Sequence, residues 1–375
     1  MPRPNTPTDL LLSLVLVAVW IAFPGPTVAQ PVTKENPNAD QQAMVDHWTR
    51  QALSDAVNAG LPVPQANYED LLLAEPHPRE ASQLLDGRFT GETDQIAPQD
   101  VNIADPKSVA SVQEEAAGIA SDGAFFSSSR LVPMDARFHY PYRLNGKLYF
   151  TKFDGKNEVC SAAVLRPRLL LTAGHCVHFG RNKSSGFYKN FKFVPAYHEG
   201  HAPYGEWYWT WVGTTQSWSE SRRKFPNSAD FAIIEVADQN VNGRMMRIGD
   251  IVGWAGFRTF ALSPNHTKQV GYPQNHDSGE IMHQVDSAWH ADGQEGVSFY
   301  GSDMRNASSG AAWYENFGVQ ATGQVGALFA SPNRIVGVTS FGFAEQGKMI
   351  QASSQLNDEF LDLLSVACQR KIGNC

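Results

Sequence analysis

The chain has 375 residues, 42% of them hydrophobic and 18% charged, with 31 Gly, 22 Pro and a formal net charge of -8. That length can bury the core of one large or two modest domains, and the low charge with many turn residues favours a β-rich globular protein. With 30 Lys and Arg against 38 Asp and Glu, the chain lacks the broad cationic field that phosphate binding uses, so nucleic acid is not an expected partner.

In chain order, residues 10–23 form an apolar run behind Arg3 and ahead of Pro24, Pro26 and the small residues Thr27, Val28 and Ala29. The run is short of the roughly 20 residues a membrane-crossing helix needs, and small residues stand where a signal peptidase cuts. Residues 1–29 therefore read as a signal peptide, giving a secreted or periplasmic protein with no membrane attachment after its removal. Residues 30–130 carry 6 basic and 16 acidic side chains, whereas residues 131–375 carry 23 and 21. The acidity belongs to the first of these, which reads as a prosegment or N-terminal extension. Within it, Asp40 is placed to cap one helix carrying Met44, Val45, Trp48, Ala52, Leu53, Ala56 and Val57 at helical spacing, ended by Gly60. Residues 76–129 read as an exposed linker, cleavable near the Ser127-Ser128-Ser129-Arg130 run.

From residue 131 the pattern changes to short apolar or alternating runs bounded by Gly, Pro and Asn. Strands are predicted at 147–153, 159–165, 169–172, 191–195, 207–212, 231–236, 251–257, 310–314 and 335–341, and a terminal helix through Leu356, Phe360, Leu361, Leu363, Leu364 and Ala367. Their number and spacing suggest a closed β architecture. Export makes Cys160, Cys176, Cys368 and Cys375 candidates for two disulfides. Four thiols allow three pairings, and local spacing suggests Cys160 with Cys176 and Cys368 with Cys375. There is no Cys-x-x-Cys pair, and His198 and His201 sit in a Gly- and Pro-rich loop, so neither a metal nor an organic cofactor is expected.

The most specific stretch is the strand from Cys160 to Leu165, a turn at Arg166-Pro167-Arg168, and a second strand ending in Thr172-Ala173-Gly174-His175-Cys176. A Cys160–Cys176 bond would hold the His175 backbone still, as a general base requires. Such a base also needs an acid and a nucleophilic serine. Asp230 directly precedes the strand Phe231-Ala232-Ile233-Ile234-Glu235-Val236, with Asp238 at its far end the weaker candidate, and Ser309-Gly310 follows in a small-residue turn. These motifs resemble the histidine, aspartate and serine regions of chymotrypsin-like serine peptidases, in particular the glutamyl-endopeptidase-like branch of exported bacterial enzymes. Tyr140-Pro141-Tyr142-Arg143, Ala202-Pro203-Tyr204-Gly205 and Gly271-Tyr272-Pro273 add to the likeness, which spans about residues 138–345.

The resemblance implies an all-β peptidase domain, residues 131–375, of two six-stranded antiparallel β-barrels with a C-terminal helix. It implies a His175-Asp230-Ser309 triad, an oxyanion hole from the N–H groups of Ala307 and Ser309, and a substrate strand at Ser340, Phe341 and Gly342. Asp303, six residues before Ser309, takes the place of a pocket-base aspartate selecting Lys or Arg. Three positions depart from the pattern. Ala307 replaces a Gly, adding a Cβ beside an oxyanion donor. Ser308 replaces the aspartate that would pair with a newly cut N-terminus, and Thr339 replaces the histidine of Glu-specific members. The expected protein is an exported, monomeric serine endopeptidase acting on polypeptides and also binding its own prosegment. The alternative is a catalytically weak or inactive homologue acting as a binding protein.

Overall fold

In a computed structural model of the chain, residues 30–37, 41–66, 83–88, 124–320, 330–343 and 348–375 are described. The expected signal peptide, the capping Asp40 and most of the expected linker lie outside them. The N-terminal part supplies β1 (Val32–Glu35), α1 (Gln41–His47), α2 (Arg50–Ala59), β2 (Gln65–Ala66), β3 (Leu84–Leu85) and β4 (Phe126–Arg130). The single helix expected after Asp40 is therefore two. Thr49 breaks it, because its side-chain oxygen accepts from Ala52 N–H and starts α2 afresh. Gly60 ends α2 at φ 41°, as predicted.

The first barrel comprises β5 (Asn145–Thr151), β6 (Asn157–Arg166), β7 (Leu169–Thr172), β8 (Lys189–Pro195), β9 (Trp207–Thr214) and β10 (Ala232–Val236). These follow the order β9-β10-β7-β6-β5-β8, and β8 returns to β9 to close six antiparallel strands. Helix α3 (Gln216–Glu220) lies between β9 and β10. The hairpin β11 (Gln239–Val241) and β12 (Arg244–Met246), then α4 (Ile248–Val252), lead to the second barrel. Residues 251–257, expected as one strand, are thus the end of α4 and the start of β13 (Gly256–Arg258), separated by Gly253 at φ 82°. A positive φ interrupts both helix and strand and is open to glycine at little cost.

The second barrel closes through β14 (His266–Gly271), β15 (His283–Gly293), β16 (Val297–Gly301), β17 (Ala312–Glu315), β18 (Arg334–Phe343) and β19 (Ile350–Gln355), in the order β17-β14-β15-β16-β19-β18 with β17 paired back to β18. The N-terminal strands attach to both barrels. β1 extends the first beside β9, β2 runs parallel to the end of β18, and β4 runs antiparallel to β15. The Ser127–Arg130 run, expected within an exposed linker, is therefore a paired strand, and Phe126 packs with Val285 and Met304.

Helix α5 (Asp358–Gln369) closes the chain, capped by Asn357 Oδ1 accepting from Phe360 N–H at 3.2 Å. Phe360 meets Phe231 and Phe257 edge-on at 5.9 and 5.1 Å, so one apolar stripe joins the helix to both barrels. Burial of each such ring is worth about 1.5–3 kcal/mol. Both disulfides are formed, Cys160–Cys176 and Cys368–Cys375.

Candidate active site

Strand β7 ends at Thr172, and Ala173 leads into a single 3-10 turn, Gly174–Cys176, which carries His175 at the mouth of the first barrel. The Cys160–Cys176 bond ties this turn to β6. Gly174 is required by space: a Cβ there would stand 2.9 Å from the Trp218 ring and 3.0 Å from Asp230 Oδ1. Asp230 lies two residues before β10, fully buried. Its carboxylate accepts three hydrogen bonds: from His175 N–H at 2.8 Å, from His175 Nδ1 at 2.8 Å and from Ser340 Oγ at 2.6 Å. Backbone and ring of His175 are thus fixed by one group, with the proton on Nδ1 and the Nε2 lone pair free to accept. Trp218 and Phe225 enclose the imidazole edge-on at 6.2 and 5.9 Å.

Ser309 comes from the second barrel, in the turn before β17. Its carbonyl accepts from Ser161 N–H at 2.8 Å, and Gly310 N–H donates to Thr339 O at 2.9 Å. Gly310, at φ 78°, passes so close to β7 that a Cβ would stand 2.1 Å from Thr172 Oγ1 and 2.9 Å from Ala173 N. The turn bearing Ser309 is therefore pressed against the strand end bearing His175. His175 Nε2 and Ser309 Oγ are both buried and, among the described residues, make no hydrogen bond. Buried polar atoms left unpaired are uncommon and call for a functional account, and catalytic hydrogen bonds are often long before substrate arrives.

Ala307 adopts φ 66°, the left-handed region that costs a residue with a Cβ about 1–2 kcal/mol. Its carbonyl accepts from Ser161 Oγ at 3.1 Å and its N–H donates to Leu61 O at 2.9 Å. Ser308, which takes the place of the ion-pairing aspartate, instead accepts from Gln351 Nε2 at 3.0 Å. Leu61 introduces a segment that sequence reasoning did not place here. After α2 the chain crosses the second barrel, Pro64 O accepts from Gly342 N–H at 2.8 Å, and Gln65 and Ala66 align with Gly342 and Phe343. Leu61 and Val63 are buried, with Val63 beside Gly342. The N–H groups of Ala307 and Gly342, expected to serve a substrate, are both occupied by this segment.

Among the remaining expected residues, Phe341 is buried in an aromatic cluster with Phe225, Phe299 and Phe343. The Thr339 hydroxyl accepts from Trp313 Nε1 at 2.8 Å. Asp303 faces β4 and the turn at 276: its carboxylate accepts from Ser128 Oγ at 2.6 Å and lies 3.2 Å from His276 Nε2. Burial alone would raise its pKa, but the hydrogen bonds from His276 and Ser128 hold it below the ordinary value. Asp238 is engaged by Arg168 in a two-pronged ion pair, away from His175. Sequence reasoning missed Ser161, Gln351 and Leu61, and placed Ser340 on the substrate strand without its hydrogen bond to Asp230. Ser161 follows a candidate disulfide cysteine, but no spacing marks its contacts with the serine turn.

No family model and no curated protein matches the chain. Solved structures do match. The protease Anisep from Arthrobacter nicotinovorans is 24% identical with a TM-score of 0.50, the match covering 60% of this chain and 96% of that one. A thermostable serine protease, AL20, from an extremophilic microorganism is 21% identical with a TM-score of 0.51, covering 64% of this chain and all of its own. Two closed six-stranded antiparallel barrels, a C-terminal helix and these likenesses identify the fold as that of the chymotrypsin-like serine proteases.

Proposed function

We propose that the chain is an exported serine endopeptidase, synthesised with a prosegment within residues 30–130 that occupies its own cleft. The observation that carries the reading is the buried Asp230 carboxylate, which binds both backbone and ring of His175, while Ser309 stands in a turn packed on the same strand end. In this reading His175 Nε2 takes the proton of Ser309 Oγ as the oxygen attacks a peptide carbonyl carbon. The N–H groups of Ala307 and Ser309 hold the resulting oxyanion, and Asp230 stabilises the imidazolium. His175 then returns the proton to the departing amine, leaving an acyl-enzyme. Water, deprotonated by His175, cleaves the ester and restores Ser309.

The segment at 61–66 supports the prosegment reading. Leu61 places a carbonyl on an expected oxyanion donor, yet the residues along β18 are those that follow Leu61 in the chain. The acyl half of a substrate precedes its reacting carbonyl, and that half is the one expected to pair with 340–342. The segment therefore lies in the cleft in a direction unsuited to acylation, and the bond after Leu61 leads to Pro62. The inactive-homologue reading rests on Ala307, but the Ala307 N–H already meets a carbonyl at 2.9 Å, so a donor is available despite the added Cβ.

The test is labelling with a fluorophosphonate, before and after removal of the prosegment, followed by peptide mapping. A label on Ser309 of the processed chain, absent from Ser309→Ala, is expected. A folded, processed chain that takes no label would overturn the reading. N-terminal sequencing of the mature form locates the cut, for which the bond after Arg130 is our candidate.

A further inference from the structure

Beside the turn that carries Ser309, His276, His283 and Asp303 converge although they come from three separate segments. One ligating atom of each lies within 4.8 Å of the others. The two imidazoles are stacked, centroids 4.2 Å apart and planes 7° from parallel. Asp303 Oδ2 is 3.2 Å from His276 Nε2, and the Ser128 hydroxyl lies 2.8 Å from His283 Nε2 and 2.6 Å from Asp303 Oδ1. His283 is buried and the other two are largely so.

We propose that His276, His283 and Asp303 form a binding site for one divalent transition-metal ion of the zinc class, with the Ser128 hydroxyl or a water completing the coordination. The geometry is close to what the ion requires. Zinc bonds of about 2.0–2.2 Å in a tetrahedron separate neighbouring ligand atoms by roughly 3.3–3.5 Å. The His276–Asp303 edge of 3.2 Å already has about that length, and the other separations, all within 4.8 Å, close with a small side-chain shift. Two imidazoles and one carboxylate suit zinc, cobalt or nickel and suit calcium or magnesium poorly, since those prefer all-oxygen shells. Charge points the same way. Two stacked imidazoles repel if both are protonated, whereas a dication uses both neutral rings and the carboxylate together. The nearby Arg130 guanidinium is offset by Asp277 at 2.6 Å.

The ion would reinforce a joint that the protein has already begun. Gln274 N–H donates to Asn306 O at 2.7 Å and Arg305 N–H to Asn275 Oδ1 at 2.7 Å, so the turn bearing His276 grips the loop leading to Ser309 at two points. A metal held by His276, His283 and Asp303 adds a third. It would brace this loop in a chain whose Ser308 lacks the carboxylate for an activating ion pair.

The test uses the full chain as Ser309→Ala, untagged and stripped with a chelator, titrated with Co2+ and then Zn2+. One equivalent of Co2+ should bind with visible absorption of a four- or five-coordinate site, Zn2+ should displace it, and either ion should raise the unfolding midpoint in a concentration-dependent way. His276→Gln, at a partly exposed position, should lower affinity on the order of 100-fold with its circular dichroism unchanged, and Asp303→Asn should do likewise. Ca2+ should leave both readouts unmoved. Absence of a Co2+ absorption band, or a folded His276→Gln chain that binds Co2+ as tightly as its parent, overturns the site. None of these readouts depends on peptidase activity.

Discussion

The two halves of the cleft are held by different means. The His175 half rests mainly on the first barrel: a disulfide fixes the turn, and one buried carboxylate orients backbone and ring, with Ser340 of β18 giving that carboxylate a hydrogen bond from the second barrel. The Ser309 half belongs to the second barrel but leans on parts outside it. Ser161 of β6 holds the Ala307 and Ser309 carbonyls, and Leu61 of the N-terminal segment engages the Ala307 N–H. His175 is thus set largely by its own barrel, whereas the Ser309 turn takes its shape from contacts that removal of the N-terminal segment would change. Under the proposed function, control by the N-terminal segment would act on the serine side.

The largest effect expected on this contrast is Asp230→Asn, which keeps the shape of the group but disturbs the tautomer of His175. Turnover on a peptide ester should fall about 10⁴-fold with little change in KM. A KM-only effect would show that Asp230 is structural. Next comes loss of the first disulfide. Cys160→Ser with Cys176→Ser opens a loop of sequence separation 16 and should cost about 3 kcal/mol in urea unfolding; an unchanged midpoint would mean that the first barrel fixes His175 without it.

On the serine side, Val63→Asp buries a carboxylate beside Gly342 and should loosen the segment by about 2 kcal/mol, or roughly 30-fold in the fraction of unprocessed chain with an open cleft. Ester hydrolysis by the unprocessed protein should rise accordingly, while the processed form stays the same. No change in the unprocessed form would remove Val63 from the inhibitory contact. The smallest effect belongs to Ala307→Gly. Relief of the left-handed cost should stabilise the chain by about 1 kcal/mol by thermal unfolding, with turnover maintained or raised. A loss of turnover would show that the Cβ has a positive role.

Legibility followed polarity. The first barrel was readable because β6, β7 and β10 are largely apolar runs, and His175 and Asp230 sit just beyond the ends of β7 and β10. β14, β15, β16 and β19 of the second barrel went unassigned because much of what they bury is polar, including Thr267, Gln269, His283, Ser298, Ser353 and Ser354. Ser127–Arg130 read as linker for the same reason: three serines give no alternation, and only pairing with β15 makes them a strand. The helix break at Thr49 was present as a capping residue hidden inside an otherwise regular apolar stripe. Ser340, Ser161 and the 276–283–303 cluster depend on residues far apart in the chain, which no local pattern reports.

The attachment of the N-terminal segment to both barrels has a further consequence for how the chain would be switched on. β1 is paired with β9, Arg370 of the terminal turn grips Glu35, β2 lies on β18, and β4 lies on β15. A cut after Arg130 breaks one covalent bond and none of these contacts. The immediate product is a nicked, two-piece particle that separates under denaturing conditions but sediments as one body. Onset of activity would then follow the slow departure or further digestion of the released piece, with a lag that lengthens as its free concentration rises.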